Sequence, residues 1–249
     1  MKEVSDRMLY RRFVQADDLV SFKVTIKETD LMILADQDLT DETRELVLTH
    51  RFQLEEHIAR HPEFRTSLLP LPESAAAPRI VRLMSEAGRL AAVGPMAAVA
   101  GAISELVGEG LREYSRELLI ENGGDLYLAG RKERVVAIFT GESELGARLG
   151  LRVGVEERPL GICTSSGRLG HSLSLGEAST ATILARSAAL ADAAATAAGN
   201  VVRGPGGVEK GIELARRIPG VLGAVIIHGG KVGAWGQVEL VPLDDGCAG

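Results

Sequence analysis

Ser187-Ala188-Ala189-Leu190-Ala191-Asp192-Ala193-Ala194-Ala195-Thr196-Ala197-Ala198-Gly199-Asn200 reads as one helix. Ser187 offers a side-chain oxygen to the first free amides, and Gly199 is a natural stop. Eight of the eleven residues from 188 to 198 are alanine. Alanine is the best helix former, and its short side chain lets another backbone or a flat ligand come close. Asp192 and Thr196 are four residues apart, so they lie one above the other on the same face. No Lys or Arg inside the helix pairs with Asp192. Two readings stay open. An exposed acid near the helix N-terminus is favoured by the dipole and needs no ligand, and on spacing alone this is the commoner case. A buried acid needs a compensating charge, because an isolated carboxylate out of water is costly. A hard divalent cation held by that carboxylate, the Thr196 hydroxyl and backbone carbonyls would supply it.

The chain around this helix alternates in a strand-like way on both sides. Residues 19–27 and 31–35 read as two half-buried strands joined by the turn Glu28-Thr29-Asp30. Thr40 has the character of an N-cap with Asp41 and Glu42 behind it, and a helix is expected to run to about residue 60, where Pro62 stops it. Residues 78–114 are helical in pattern, with interruptions at Gly88 and Gly94-Pro95. Strand-like runs follow at 117–121, 125–129, 134–139, 147–155, 160–164, 172–175 and 179–185. After the alanine-rich helix come a second helix over 207–218 and strands at 224–228, 231–235 and 237–243, the first two joined by Gly229-Gly230. Strands in runs and helices in blocks predict an α+β fold with a mixed or antiparallel sheet and segregated helices, rather than alternating β/α units. The expected organisation is one domain over residues 1–249. Within it, residues 1–70 are at most an N-terminal βα subdomain set off by the loop 70–78.

Composition narrows the function classes. Hydrophobic residues make up 45% and charged residues 25% of the 249 positions, which suits a packed core. The net charge of −6 and the absence of a basic run argue against a nucleic-acid surface, which needs concentrated positive charge. Two cysteines, Cys163 and Cys247, do not make a disulfide framework. No stretch reads as a signal peptide or reaches membrane-spanning length, so a soluble cytoplasmic protein is expected.

Two further segments have chemical potential. Asn122-Gly123-Gly124-Asp125 lies between two strand-like runs. It reads as a tight hairpin turn or as backbone kept bare for a nucleotide. Cys163-Thr164-Ser165-Ser166-Gly167, with His171 beyond it, sets three hydroxyls ahead of a glycine. Those hydroxyls suit phosphate or ribose oxygens, or simply a hydroxyl-rich turn. Cys163 with His171 as nucleophile and base has no motif context, and a small buried cysteine is the commoner case. Arg203-Gly204-Pro205-Gly206-Gly207 precedes a helix but lacks the Lys-Ser/Thr ending of a phosphate loop.

In order along the chain, these segments resemble the ApbE family of flavin transferases. Gly101 and Glu105, then Asn122-Gly123-Gly124-Asp125, are similar to that family's helix and N-x-G-G-D/E turn. Cys163-Thr164-Ser165-Ser166-Gly167 is similar to its A-T-S-G segment, His171 to the histidine that follows, and residues 179–184 to an S-V-T-V-L strand. Ala191-Asp192-Ala193-Ala194-Ala195-Thr196 reproduces its A-D-A-x-A-T motif. The likeness spans about residues 94–203. It implies a T-fold-like core that binds FAD with Mg2+. It assigns the metal to Asp192 and Thr196, the flavin nucleotide to Asn122, Gly123, Gly124, Asp125, Thr164, Ser165, Ser166 and Gly167, and a catalytic role to His171. It further implies cleavage of the FAD pyrophosphate, with FMN passed to a hydroxyl of a target protein or to water. The chain departs from the exported members. Ala100-Gly101 stands where they have Lys-Gly, and Ser172-Leu173 follows His171 in place of an Ile-Ile-Asp-Pro stretch. It looks closer to a cytoplasmic branch. A non-catalytic flavin- or nucleotide-binding module, and a structural homo-oligomer packed through the alanine-rich helix, are the alternatives.

Overall fold

The computed structural model describes residues 16, 18–72, 75–138, 149–154, 158–166, 178 and 180–243. The chain opens with a hairpin of β1 (Val20–Ile26) and β2 (Thr29–Ala35). Its turn is only Lys27-Glu28, with Lys27 at φ 52, tighter than the three residues expected. Helix α1 (Thr40–Arg60) follows, with a one-turn α2 (Glu63–Thr66). Thr40, read as a cap, is already helical. The Asp38 carboxylate accepts from its backbone N–H at 2.9 Å and from its hydroxyl at 2.6 Å.

Helix α3 (Arg79–Ala91) runs straight through Gly88, which was expected to interrupt it. A Cβ there would meet the Val93 carbonyl oxygen at 2.8 Å, so the glycine makes room for the chain turning back beyond the helix end. A short 3-10 turn (Pro95–Ala98) leads into α4 (Val99–Leu111). Among the described residues no single helix is long and apolar enough to cross a membrane. The two segments on either side of the break at 92–94 pass that test only together, and they are bent by 105°.

The remaining elements are β3 (Leu118–Asn122), β4 (Asp125–Ala129), β5 (Arg134–Ile138), β6 (Leu149–Val153), β7 (Leu160–Ser165), β8 (Thr180–Ala185), α5 (Ala188–Val201), α6 (Gly207–Arg217), β9 (Val221–His228), β10 (Lys231–Gly236) and β11 (Glu239–Pro242). The strand expected at 172–175 lies outside the described residues. Eight strands form one sheet in the order β1-β2-β3-β4-β7-β8-β9-β10, and every neighbouring pair is antiparallel. The N-terminal hairpin is therefore an edge of the main sheet. A second sheet, β11-β6-β5, takes up the last strand instead of letting it continue the β9–β10 meander.

Alternation along each strand builds two cores on the two faces of the large sheet. One face, with Ile33, Ile120, Tyr127, Cys163, Ile183 and Ile226, packs under the helices. The other face, with Leu119, Leu128, Ile162, Leu184 and Val225, packs on Ile138, Leu151 and Val153 of the small sheet. The molecule is α+β with antiparallel sheets, and its helices are segregated to one side, as the strand and helix pattern predicts.

Candidate functional site

Helix α5 is buried on all sides but one. From 188 to 200 every residue is buried except Asp192, Thr196 and Asn200. These three recur every four residues, so they form one polar stripe on an otherwise apolar cylinder. Ser187 caps the helix as expected, accepting from the Leu190 N–H at 3.2 Å. Two glycines bring the neighbours in. A Cβ on Gly101 of α4 or on Gly161 of β7 would collide with the Ala188 backbone. The alanines therefore serve close helix–helix and helix–sheet contact.

Helices α4 and α5 cap each other. Asp192 Oδ2 accepts from the Gly101 N–H at 3.0 Å, and the Ala100 N–H also donates to this carboxylate. These are among the first amides of α4, which have no partner inside their own helix. In return, Glu105 of α4 accepts from the Ser187 hydroxyl at 2.7 Å and from the Ala189 N–H at 3.0 Å, at the start of α5. Helix-end amides thus supply part of the compensation that Asp192 needs. Burial still outweighs them and pushes its carboxyl up to about 7. Burial likewise raises Glu105, against the pull of its amide and hydroxyl donors.

Beneath α5 lies a row of paired residues, Asn122, Asp125, Cys163 and Ile183, on neighbouring strands. The turn at the head of this row is Gly123-Gly124, with φ of 65° and 108°, so the hairpin reading of this segment is realised. Asn122 Nδ2 donates to the Ala100 carbonyl at 3.2 Å, tying the turn to the start of α4. The Asp125 carboxylate accepts from the Cys163 thiol and the Thr164 N–H, while its Oδ1 is buried without a hydrogen-bond partner. Burial first, and the neighbouring Asp192 second, drive the Asp125 carboxyl well above the usual range. Cys163 also lies 3.3 Å from the Ala188 carbonyl oxygen. Burial pushes its thiol up, so it stays protonated and acts as a donor rather than a nucleophile.

The sequence-derived site residues divide accordingly. Asn122, Asp125 and Asp192 meet around the start of α4, and Thr196 continues the stripe. Ser165 comes close to the C-terminal turn of α5, where a Cβ on Gly199 would sit 3.8 Å from its Oγ. Gly123 opens onto free space, and the Gly124 N–H is taken by Glu121 Oε1 at 2.9 Å. Thr164 contributes its amide to the site. Its hydroxyl lies on the opposite face of the sheet, 3.0 Å from that of Thr182. Ser166 is half-buried at the end of the described stretch. Gly167 and His171 lie outside the described residues. Among the described residues no cluster of three or more His, Cys, Asp or Glu side chains could hold a metal. Sequence reasoning missed Asn200, which repeats the four-residue spacing, and the capping role of Glu105.

A family model described as "AbpE bacteria" matches residues 11–218. The chain belongs to this family. It is an ApbE-type protein, as the ordered motifs imply. It is similar to UPF0280 protein MJ1526 of Methanocaldococcus jannaschii, at 39% identity over 89% of this chain and 93% of that protein. It is likewise similar to UPF0280 protein MK0206 of Methanopyrus kandleri, at 38% identity over 88% and 91%. In fold, this ApbE-type chain resembles the flavin transferase ApbE from Vibrio cholerae, with TM-score 0.59 and 13% identity, covering 88% of this chain and 97% of that one. The flavinyl transferase ApbE of Pseudomonas stutzeri in its apo form gives TM-score 0.58 and 16% identity, over 88% and 94%.

Proposed function

We propose that this ApbE-type protein binds FAD with Mg2+ and acts as a flavin transferase, or as an FAD pyrophosphate hydrolase where water replaces the acceptor. The observation that carries this is the polar stripe Asp192-Thr196-Asn200 on a helix buried everywhere else. Asp192 already caps α4 through the Gly101 N–H, and the stripe adds a hydroxyl and an amide aligned with that carboxylate on the one face of the helix that is not fully buried.

The donor set fits a hard cation. Asp192 and Thr196 offer a carboxylate and a hydroxyl one turn apart, both oxygen ligands. When bound, Mg2+ would neutralise the pyrophosphate and ease attack at phosphorus. The remaining roles belong to the chain. The turn Asn122-Gly123-Gly124-Asp125 keeps its backbone bare beside the nucleotide. Ser165, Ser166 and Gly167 bind its phosphate or ribose oxygens, with Thr164 contributing through its backbone only, since its hydroxyl faces Thr182. His171 takes the proton from the acceptor hydroxyl as that oxygen bonds the FMN phosphorus. The P–O bond to AMP breaks, and AMP leaves with the electron pair. The same reading includes a Ser- or Thr-bearing target protein, a cytoplasmic setting, a homo-oligomer and a single domain over residues 1–249.

One feature favours binding without turnover: Ala100 stands where the family resemblance implies a lysine, so that positive charge is missing here. The experiment is incubation of the full chain with FAD, with and without Mg2+, while AMP is followed. Mg2+-dependent AMP release that Asp192→Ala abolishes supports catalysis. Mg2+-dependent FAD binding without AMP selects the binding module. No binding of FAD in either condition removes both.

A further inference from the structure

Among the described residues, Asp125 carries the most exposed contradiction in the polar bookkeeping. Its side chain is 7% exposed, and one carboxylate oxygen has no hydrogen-bond partner. A buried oxygen left this way costs the full desolvation of the group. The Cys163 thiol and the Thr164 N–H act on this carboxylate, and the thiol's single proton has a competing acceptor in the Ala188 carbonyl oxygen at 3.3 Å. Neither reaches Oδ1, which is left without a partner.

The closest strong influence from a charged side chain on Asp125 is another acid, Asp192, reached from the helix above. Asp192 is itself pinned, because Oδ2 is held by the Gly101 N–H and α5 is locked against α4 by Glu105. Asn122, the strand partner of Asp125, is neutral, and its Nδ2 donates to the Ala100 carbonyl. Geometry brings the two acids to one place: Asn122, paired with Asp125, reaches the Ala100 carbonyl, and Asp192 holds the N–H of the next residue, Gly101, with no Lys or Arg among the groups that act most on either acid. A buried carboxylate oxygen without a donor calls for a cation, and the second carboxylate at the same seam supplies a further ligand.

We infer that Asp125 is a second carboxylate ligand of the cation site. A hard divalent cation would then be held between Asp125 Oδ1 and Asp192, with Thr196 beside them. This rests on the metal reading of Asp192 above and shifts Asp125 from a flavin contact to a metal ligand. Two carboxylates make the site more selective for a doubly charged ion than one, since ligand charge sets affinity. The cation then binds before any flavin is present, and not only through the phosphates.

The test is calorimetric titration of the full chain with MnCl2 and with MgCl2 in the absence of flavin, with thermal melts in EDTA and in Mn2+. Wild type, Asp125→Asn, Asp192→Asn and Asp125→Ser are compared, the last serving if the asparagine variant does not fold. The expected result is that either Asp125 variant weakens Mn2+ about tenfold or more, as Asp192→Asn does. In EDTA the Asp125 variant melts at or above wild type, because a like charge is gone. In Mn2+ the order reverses. If Asp125→Asn binds Mn2+ like wild type while Asp192→Asn does not, the two acids merely share a proton. The inference then falls and the metal reading of Asp192 stands. If wild type binds neither ion at millimolar concentration, the metal reading itself fails.

Discussion

Among the described residues, carboxylates gather at two places around a buried acid, and they are treated in opposite ways. Around β5, Arg134 is 6% exposed and reaches Asp18 at 2.7 Å and Glu117 at 3.2 Å. Glu117 also accepts from the Arg131 N–H at 2.6 Å. The guanidinium holds Asp18 well below the usual carboxylate range. At the α4–α5 seam, Asp125, Asp192 and Glu105 have amides, hydroxyls and a thiol as partners, and burial raises all three. The first arrangement is complete in itself and ties the small sheet to the large one. The second is incomplete in charge, and perturbed groups of this kind collect at functional sites. Burial alone does not mark a site; what marks it is burial without a counter-charge.

The comparison breaks most readily at the seam itself. Gly101→Val drives a branched side chain into the Ala188 carbonyl and the Asp192 Cβ. Denaturant unfolding should register a loss of more than about 3 kcal/mol. A variant as stable as wild type would mean that the close approach is not needed. At the other place, Arg134→Met leaves Glu117 buried without its cation. A loss of about 2–3 kcal/mol is expected, with Mn2+ and FAD binding unchanged once the protein is folded.

Acid should separate the two regions further. Asp192 has its folded carboxyl raised to about 7, so its contribution to stability is full below about pH 4 and is lost as pH rises through about 7. Asp18 and Asp36 are lowered, so their contributions exist above about pH 4 and are lost as pH falls below it. In EDTA, Asp192→Asn should therefore flatten the melting curve between about pH 4 and pH 7 and gain about 1 kcal/mol at the upper end, after allowance for its partial solvent access. Arg134→Met should flatten only the acid limb. A variant of Asp192 with an unchanged slope would show that its carboxyl titrates normally.

The smallest effects distinguish the two sides of one strand. Thr164→Val loses the contact with Thr182 and should cost less than about 1 kcal/mol while leaving FAD binding intact. Ser165→Ala, on the helix side of β7, should leave stability near wild type and weaken FAD binding. The reverse pattern would put the nucleotide on the other face of the sheet.

Local signals carried a good deal of this. The Ser187 cap, the strand alternation around residues 118–129 and the Gly229-Gly230 turn are all visible in neighbouring residues, because helix and strand periodicities act over a few positions. The Asp192–Thr196 stripe was visible for the same reason, and so was the glycine turn at residues 123 and 124. Thr40 and Gly88 were misjudged because their roles depend on Asp38 and on the chain beyond Val93.

By itself, then, the sequence determined the helix, its N-terminal cap, its polar face and an α+β pattern of strands in runs and helices in blocks, since each is set by spacing within a few residues. The purely antiparallel pairing came from the structure. Only the tertiary structure decided that Asp192 meets Gly101 across 91 positions, that Glu105 returns the cap to α5, and that Asp125 stands beneath Asp192 with one oxygen unpaired. It also decided that β11 leaves the main sheet. No local pattern carries such facts. They follow from how closely glycine and alanine let two helices and a sheet approach, and from which polar atoms that approach leaves without water.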